Sequence, residues 1–579
     1  MYVEVVPNRN SRPATLLRES WREGKKTRKR TLSNISHWSK EKIETLRAAL
    51  KGGVVVADLE SSFVTVRSFL HGHVVAALGT LRKLGLDKLI ASKRSREREL
   101  VLAMIVGRII APGSKLALAR GLGAEAHTSS LGHVLKLEDA DEAELYAAMN
   151  WLLKRQPAIE KKLVGRHLNE GCLVFYDVTS AHFEGRHCPL AAYGHPHGGP
   201  KGKLQINFGV LCDDEGRPTA VEVFEGNVGD PTTFTAQVVK MRKRFGLKRI
   251  IYVGDRGMIT SARIRDDMWD EHGIDWITAL RADQIRPLIK EGAFQPSLFD
   301  QINLAEIEGK DYPGERLIVC RNPALAKERT RKRQELLDRT QDAFAEIVKA
   351  TQRSRQPLRG KDEIALRVGK VRGQFKMSKH FNITITDDSF SYERNEEKIS
   401  EEAKLDGFYV VRTSVCKDKM QSEEVVRNYK RLSRVEQAFR MMKSIDLKVR
   451  PIFHHNEDKV RAHVFLCMLA YYVDWHMRAA LAPILFEEDD PEAAEAQRDD
   501  VVSKAQKSPS AQSKASTKRT EDGLQVQSFP DLLKHLATVV INEHRPTLKG
   551  IADQTFLKVT ELNPLQTRAF ELLGLRPIL

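Results

Sequence analysis

Apolar positions recur at helical spacing from His73 to about Leu168, through Val74, Leu78, Leu81 and Leu84, then Leu100, Met104, Ile105 and Ile109, until Pro112-Gly113 stops the run. A small helical domain is expected there. After Gly171 the pattern changes to short apolar runs and to period two, with strands predicted at Leu173–Asp177, Leu204–Cys212 and Thr219–Phe224. The last two are joined by the turn-forming stretch Asp213-Asp214-Glu215-Gly216. A helix expected to start at Pro231, a residue suited to a first helical turn, leads to a strand at Ile250–Val253, and another helix precedes a strand near Asp275–Leu280.

Three strands joined by hairpins or short loops, then helix, strand, helix, strand, is the order of a ribonuclease-H-like mixed α/β sheet. Farther on, Arg316–Cys320, Glu363–Val368, Phe381–Thr386 and Phe408–Thr413 read as strands, interrupted by a charged helix from about Ala324 to Arg353 with Leu337, Phe344 and Ile347 on one side. These predict a β-rich insertion domain within the sheet's sequence. Residues from about Glu487 to Gly523 are rich in Asp, Glu, Ser, Ala and Lys with almost no large apolar groups, the composition of a disordered linker. The expected order is a basic N-terminal arm (1–60), an N-terminal helical domain suited to DNA ends (61–168) and a catalytic core in two parts (169–285 and 416–486) around the insertion (286–415). The linker (487–525) and a short helical tail (526–579) follow.

Length and charge narrow the class. A chain of 579 residues is too long for one ordinary core. Its net charge of +17 and pI near 9.4 call for a polyanionic partner, and nucleic acid fits best. Arg22, Lys25, Lys26, Arg28, Lys29 and Arg30 form one basic cluster, which reads equally as a contact for the DNA backbone or as a solvated surface. Lys93, Arg94, Arg96 and Arg98 before the second predicted helix carry the same pair of readings. Six cysteines form no CxxC pair and the N-terminus lacks the apolar core of a signal peptide, which points to a reducing cytoplasm. The longest apolar run, Val464–Val473, is too short to span a bilayer.

The candidate chemistry rests on three acids. Asp177 ends the run Leu173-Val174-Phe175-Tyr176, and Asp255 follows Ile250-Ile251-Tyr252-Val253-Gly254. A carboxylate at a strand's carboxyl end points from a rigid sheet into solvent, so several converging there can hold divalent cations without burying unpaired charge. Glu436 lies on a helix-patterned stretch where Tyr429, Leu432, Glu436, Arg440 and Lys443 share one face, beside an apolar stripe of Val435, Phe439 and Met442. Taken singly, each acid reads more readily as a turn or helix cap, and Glu436 with Lys443 as the wet side of a helix. Their joint order and context reverse that balance. His182, His187, Cys188, His195 and His197, like His454, His455 and His463, match no common zinc spacing. Tyr471, Tyr472 and Trp475 read as core.

The strings Tyr176-Asp177-Val178-Thr179-Ser180 and Gly254-Asp255-Arg256-Gly257-Met258, with the stretch from Tyr429 to Lys443, resemble the three catalytic blocks of the DDE transposases of the IS4 superfamily, closest to the IS1634-like branch. Tyr193-Gly194-His195, the segment from Gly209 to Pro218 and Glu225-Gly226-Asn227 are similar in spacing and order. The resemblance runs from about Leu173 to Trp475 and implies a ribonuclease-H-like core with a β-rich insertion, Asp177, Asp255 and Glu436 as catalytic metal ligands, and two Mg²⁺ or Mn²⁺ ions per site. Such ions sit roughly 3.5–4 Å apart and clamp the attacking and leaving oxygens of an in-line displacement at phosphorus.

Tyr429, Arg434, Arg440, Lys443 and Arg256, with Lys25, Lys26, Arg28, Lys29 and Arg30, are the DNA-binding candidates, on element ends and target DNA. The family pattern places an Arg where this chain has Leu432, which leaves Arg431, Arg434 or Arg440 to supply that phosphate contact. Paired ends imply a dimer. The leading reading is an enzyme that binds the terminal inverted repeats of an insertion sequence, cuts them and joins strands. The alternatives are a metal-dependent DNA nuclease that does not join and a non-catalytic DNA-binding derivative.

Overall fold

A computed structural model describes the chain except residues 10, 54–61, 126, 186, 270–273, 446, 499, 548–553 and 578–579, so residues 54–60 of the expected arm lie outside the described residues. The chain divides into two compact units, one of residues 1–69 with 540–560 and one of residues 70–539 with 561–579.

The larger unit is built on an eight-stranded mixed sheet. Its strands are β1 (Cys172–His182), β2 (Gln205–Cys212), β3 (Pro218–Glu225), β4 (Ile250–Val253), β5 (Ile274–Ala279), β6 (Leu304–Ile307), β7 (Arg316–Arg321) and β8 (Phe408–Thr413), in the spatial order β6-β7-β8-β5-β4-β1-β2-β3. β1, β4 and β5 run parallel, and every other pairing is antiparallel. Alternation along β1 divides its side chains between two cores. Val174, Tyr176 and Val178 pack with Phe234 and Tyr252, whereas Phe175 joins the core that contains Phe208, Val435 and Phe439. Asp177, in step with Phe175, belongs to the second face.

Helices Gly72–Lys83, Arg96–Ile110 and Glu142–His167 pack with the long helix Glu457–Leu481, whose run from Ala462 to Asp474 is wholly buried. Tyr471 and Tyr472 lie in that core. No single helix among the described residues is long and apolar enough to cross a membrane. One buried carboxylate ties the bundle to the sheet. Glu160 accepts from Val221 N–H of β3 at 3.0 Å and pairs with Lys240 at 2.9 Å and Arg244 at 3.2 Å, so its charge is matched where water is excluded.

The insertion differs from expectation. β7 and β8 extend the main sheet, and the separate part consists of helices Pro323–Thr351, Lys361–Phe375 and Glu396–Ala403 around one hairpin, Phe381–Ile385 with Phe390–Arg394. It is mostly helical rather than β-rich. Glu363–Val368, predicted as a strand from the alternation of Ile364, Leu366 and Val368, lies in a helix. Ile364 and Val368, four apart, pack among Leu337, Phe344 and Ile347, while Leu366 is 59% exposed.

The expected disordered linker is an ordered strap with helices Pro491–Ala496 and Pro509–Thr517. Polar anchors replace the missing apolar ones. Lys514 Nζ donates to the Ala482 and Glu487 carbonyls at 2.7 and 3.0 Å, and Lys430 Nζ to those of Val501, Val502 and Ser503 at 2.6, 2.7 and 3.0 Å. Backbone oxygens held this way keep a segment in place without a large apolar face.

The smaller unit corrects both ends of the prediction. The basic arm is a three-stranded antiparallel sheet, Tyr2–Val6, Ala14–Glu23 and Lys26–Asn34, followed by helix Lys40–Leu50. Gly24, at φ +66°, makes the tight turn before Lys25. Arg28 pairs with Glu23, Lys29 with Glu4 and Arg30 with Glu19, so acids on the other two strands offset much of the basic run. A second sheet joins Phe63–Leu70 to Val540–Pro546 and Phe556–Val559. The C-terminal segment expected to be helical therefore contributes two strands here.

Candidate active site

Sheet register brings the two aspartates level. β1 and β4 are parallel neighbours with Phe175 opposite Val253, and Asp177 and Asp255 each follow two residues later. Adjacent strands lie about 4.8 Å apart, so both acids leave the same end of the sheet side by side. Their supports differ. Asp177 still pairs in the sheet, opposite Val210 of β2, while Asp255 begins a turn in which its carbonyl accepts from Met258 and Ile259 N–H at 3.0 and 3.1 Å and its Oδ2 from Gly257 N–H at 3.3 Å. At Gly254 a Cβ would stand 2.9 Å from Ile259 Cδ1, so a larger residue there would require the Ile259 side chain to shift.

Glu436 arrives from helix Ser433–Arg440. Val435, Ala438 and Phe439 are buried, and the Phe439 ring meets Phe208 of β2 edge-on at 5.7 Å, which holds the helix against the face that carries Asp177. Leu432 is buried at the break between helix Ser422–Lys430 and this one. A π-helical turn, Met441–Ile445, continues the helix and carries Lys443.

The electrostatics link the three acids. The Asp177 carboxyl is pushed up to about 7, first by burial, against a 2.8 Å hydrogen bond from Val178 N–H, and further by the charges of Asp255, Glu436 and Asp230. Burial also raises the Tyr429 phenol, with Asp255 and Glu436 acting in the same sense and Arg256 against them. Burial and Arg450 pull Lys443 down to about 8 while Asp177 opposes the shift. Lys443 Nζ donates to the His197 carbonyl at 3.0 Å and lies 5.9 Å from the Phe439 ring centre. The fold thus gathers Asp177, Asp255, Glu436, Tyr429, Lys443 and Arg256 into one site.

The remaining arginines separate by partner. Arg434 donates to the Asp214 carbonyl and packs over Gly216, so it serves the β2–β3 turn. Arg431 donates to Asn428 Oδ1 at 3.2 Å. Arg440 and Arg256 are exposed and have no hydrogen-bond or ion-pair partner among the described residues. Lys25, Lys26, Arg28, Lys29 and Arg30 lie in the other unit, all exposed on or beside its hairpin.

Sequence reasoning missed Asp230 and His197 as members of this neighbourhood. Asp230 opens helix Asp230–Lys240, and its Oδ1 stands 3.6 Å from His197 Nε2. His197 N–H donates to Ser180 Oγ of β1 at 2.8 Å. The string Gly229-Asp230-Pro231 signals only a helix start, and nothing local in it points to a sheet end reached through tertiary packing.

Carboxylates are the hard, anionic donors that Mg²⁺ or Mn²⁺ takes, so these residues fit such ions. Among the described residues no three His, Cys, Asp or Glu side chains already close on a single point. The donors are gathered but not drawn together.

Comparison with known proteins adds family information. A family model described as "Transposase DDE domain" matches residues 169–473, more than half of the chain, and one described as "IS1634 family transposase, N-terminal domain" matches residues 3–54. No curated protein matches the chain. Among solved structures, a chain of the piggyBac transposase synaptic complex with hairpin DNA is 8% identical, with 81% of this chain and 79% of that one covered at a TM-score of 0.34. So low a score carries no argument about this fold.

Proposed function

Because the chain belongs to the transposases that carry a DDE domain, we propose that it binds the terminal inverted repeats of an insertion sequence, cuts DNA there and joins strands, with Asp177, Asp255 and Glu436 as its catalytic acids. The observation that carries this reading is that the charges of Asp255 and Glu436, from separate stretches of chain, both act on Asp177 at one end of a mixed sheet. We take that sheet as ribonuclease-H-like. Two Mg²⁺ or Mn²⁺ ions held by Asp177, Asp255 and Glu436 would supply Lewis-acid activation of the attacking and leaving oxygens.

The chain's own groups do the rest. Lys443, oriented by the His197 carbonyl, presents its ammonium to phosphate oxygens beside Asp177. Tyr429, kept a neutral phenol by burial first and by Asp255 and Glu436 besides, offers a ring and a hydroxyl to the nucleotide next to the cut. Arg256 and Arg440, exposed and without a partner among the described residues, grip backbone phosphates, and Arg440 takes over the contact missing at Leu432. Water attacks first and the freed 3′-hydroxyl second, so one set of acids serves both cutting and joining. A dimer on paired ends follows from that sequence, and the basic N-terminal sheet supplies further phosphate contacts through Lys25 and Lys26.

The test is a strand-transfer assay on end-containing DNA with Mg²⁺, using Asp177→Asn, Asp255→Asn and Glu436→Gln beside the wild type. Each substitution should abolish cutting and joining while end binding persists. Near-normal cutting by any one would remove that residue from the ligand set. Cutting without joining by the wild type would replace the transposase reading with a nuclease.

A further inference from the structure

The larger unit holds a second charged cluster, and its sign is reversed. A cavity of about 320 Å³ is lined by Arg108, Lys115, Lys448, Arg450, His454 and His463 among others, with no carboxylate in its wall. Arg108 and Lys115 are respectively 7% and 4% exposed. Neither has an ion-pair partner among the described residues; Arg108 reaches only the Leu447 carbonyl at 3.5 Å, and Lys115 has no hydrogen-bond partner there. A buried cation without a counter-charge is costly, and side chains this long normally reach an acid or water.

Other features of the cavity have the same polarity. Lys115 is the first residue of helix Lys115–Leu122, whose positive dipole end favours an anion and disfavours a lysine. Ser114 caps that helix, its Oγ accepting from Ala117 N–H at 3.0 Å. Lys448 is exposed at a φ of 45°, set between the buried Leu447 and Val449. Burial draws Lys115 down to about 8 and His454 to about 4, with the neighbouring cations adding to both shifts.

We infer that this cavity is a phosphate-binding site, built from Arg108, Lys115 and the Lys115 helix end, that anchors a backbone phosphate of the bound DNA. Phosphate supplies the missing counter-charge and accepts from several donors at once. The volume, about ten waters at ~30 Å³ each, leaves room for a phosphoryl group with part of its hydration. DNA is the carrier because of Arg450. This wall residue donates to the Gly198 carbonyl at 3.0 Å, next to the His197 carbonyl that takes Lys443, and its charge acts on Lys443 itself. The cavity and the carboxylate site therefore share one loop, and a strand held at the acids passes the cavity mouth. Only the identity of the carrier rests on the transposase reading.

The experiment uses the full chain as wild type, Lys115→Met, Arg108→Met and the rim variant Lys448→Ala. Lys115→Met removes an unpaired buried charge at nearly constant volume, so it should fold. Melting is followed with inorganic phosphate against chloride at equal ionic strength, and affinity for an end-containing duplex is titrated with salt. Phosphate should raise the wild-type melting temperature, and this response should vanish in Lys115→Met and Arg108→Met, weaken in Lys448→Ala and persist in Asp177→Asn. DNA affinity of Lys115→Met should fall roughly 5–10-fold, with the slope of log affinity against log salt reduced by about one.

An equal phosphate response in Lys115→Met and wild type overturns the site. Loss of that response with an unchanged DNA salt slope overturns the DNA carrier. A wild type that binds no DNA yet shows a Lys115-dependent phosphate response upholds the site and overturns the transposase reading instead.

Discussion

The carboxylate site and the cationic cavity lie in the same unit and are built on opposite principles. At one sheet end, Asp177 meets Asp255, Glu436 and Asp230, and each negative charge makes the ionisation of Asp177 harder. In the cavity, Arg108 and Lys115 face each other and two histidines without an acid. Elsewhere the protein pairs its buried charges. Glu160 has Lys240 and Arg244, and Arg412 has Glu315. Like charge gathered at a half-exposed sheet end and in a buried cavity accords with the proposed roles of the two places, for a cation in one and an anion in the other.

The largest effect that could break this contrast is catalytic. Removing one of the three proposed catalytic carboxylates should lower strand cleavage by at least about 10³-fold, comparable to losing a principal transition-state stabiliser. A fall of less than tenfold in Asp255→Asn, measured by single-turnover cleavage, would show that the acids are gathered for another reason.

Stability gives the next test. Burial lowers the Lys115 ammonium from 10.5 to about 8 in the fold, so between those pH values the unfolded chain binds more protons than the native one and stability rises with pH. Below pH 8 the buried charge costs on the order of 3 kcal/mol. Lys115→Met should therefore melt higher than wild type at pH 7, with the difference shrinking between pH 8 and 10.5. Chemical denaturation across that range would expose a pH-independent difference if the ammonium were neutralised by the protein itself.

Asp177 behaves in the mirror sense. Its carboxyl is raised from 3.8 to about 7, so between those values the native protein holds a proton that the unfolded chain has lost, and stability falls as pH rises. Asp177→Asn removes that penalty and should melt a few degrees higher than wild type at pH 8 in EDTA. Mg²⁺ should close the gap by stabilising only the wild type. Calorimetry that showed the same Mg²⁺ response in both proteins would detach Asp177 from the metal site.

The smallest expected effects concern the DNA grip. Arg256→Ala and Arg440→Ala should each weaken duplex binding roughly 5–10-fold and reduce the salt slope by about one. Fluorescence anisotropy that found either variant unchanged across the titration would remove that arginine from the DNA grip, and for Arg440→Ala would leave the Leu432 position without its substitute.

Much of the sheet was legible because its strands announce themselves locally. Ile250–Val253 and Phe408–Thr413 are apolar runs bounded by turn residues, and both occur as predicted. Glu363–Val368 misled because Ile364, Leu366 and Val368 satisfy period two as well as the four-residue spacing, and only packing on helix Pro323–Thr351 selects Ile364 and Val368. The strap at 487–525 was misread for a related reason. Its order comes from Lys514 and Lys430 reaching carbonyls far away in sequence, a contact that composition does not register.

The sequence by itself determined the order of strands and helices from Cys172 to Ala279, the excess of positive charge and the positions of Asp177, Asp255 and Glu436, because periodicity, charge and turn chemistry are local. Tertiary structure decided which charges meet. Parallel register set Asp177 level with Asp255, packing of Phe439 on Phe208 brought in Glu436, and helices distant in sequence enclosed Arg108 and Lys115 with His454 and His463. Charge interaction depends on distance and on exclusion of water, and both are properties of the folded chain.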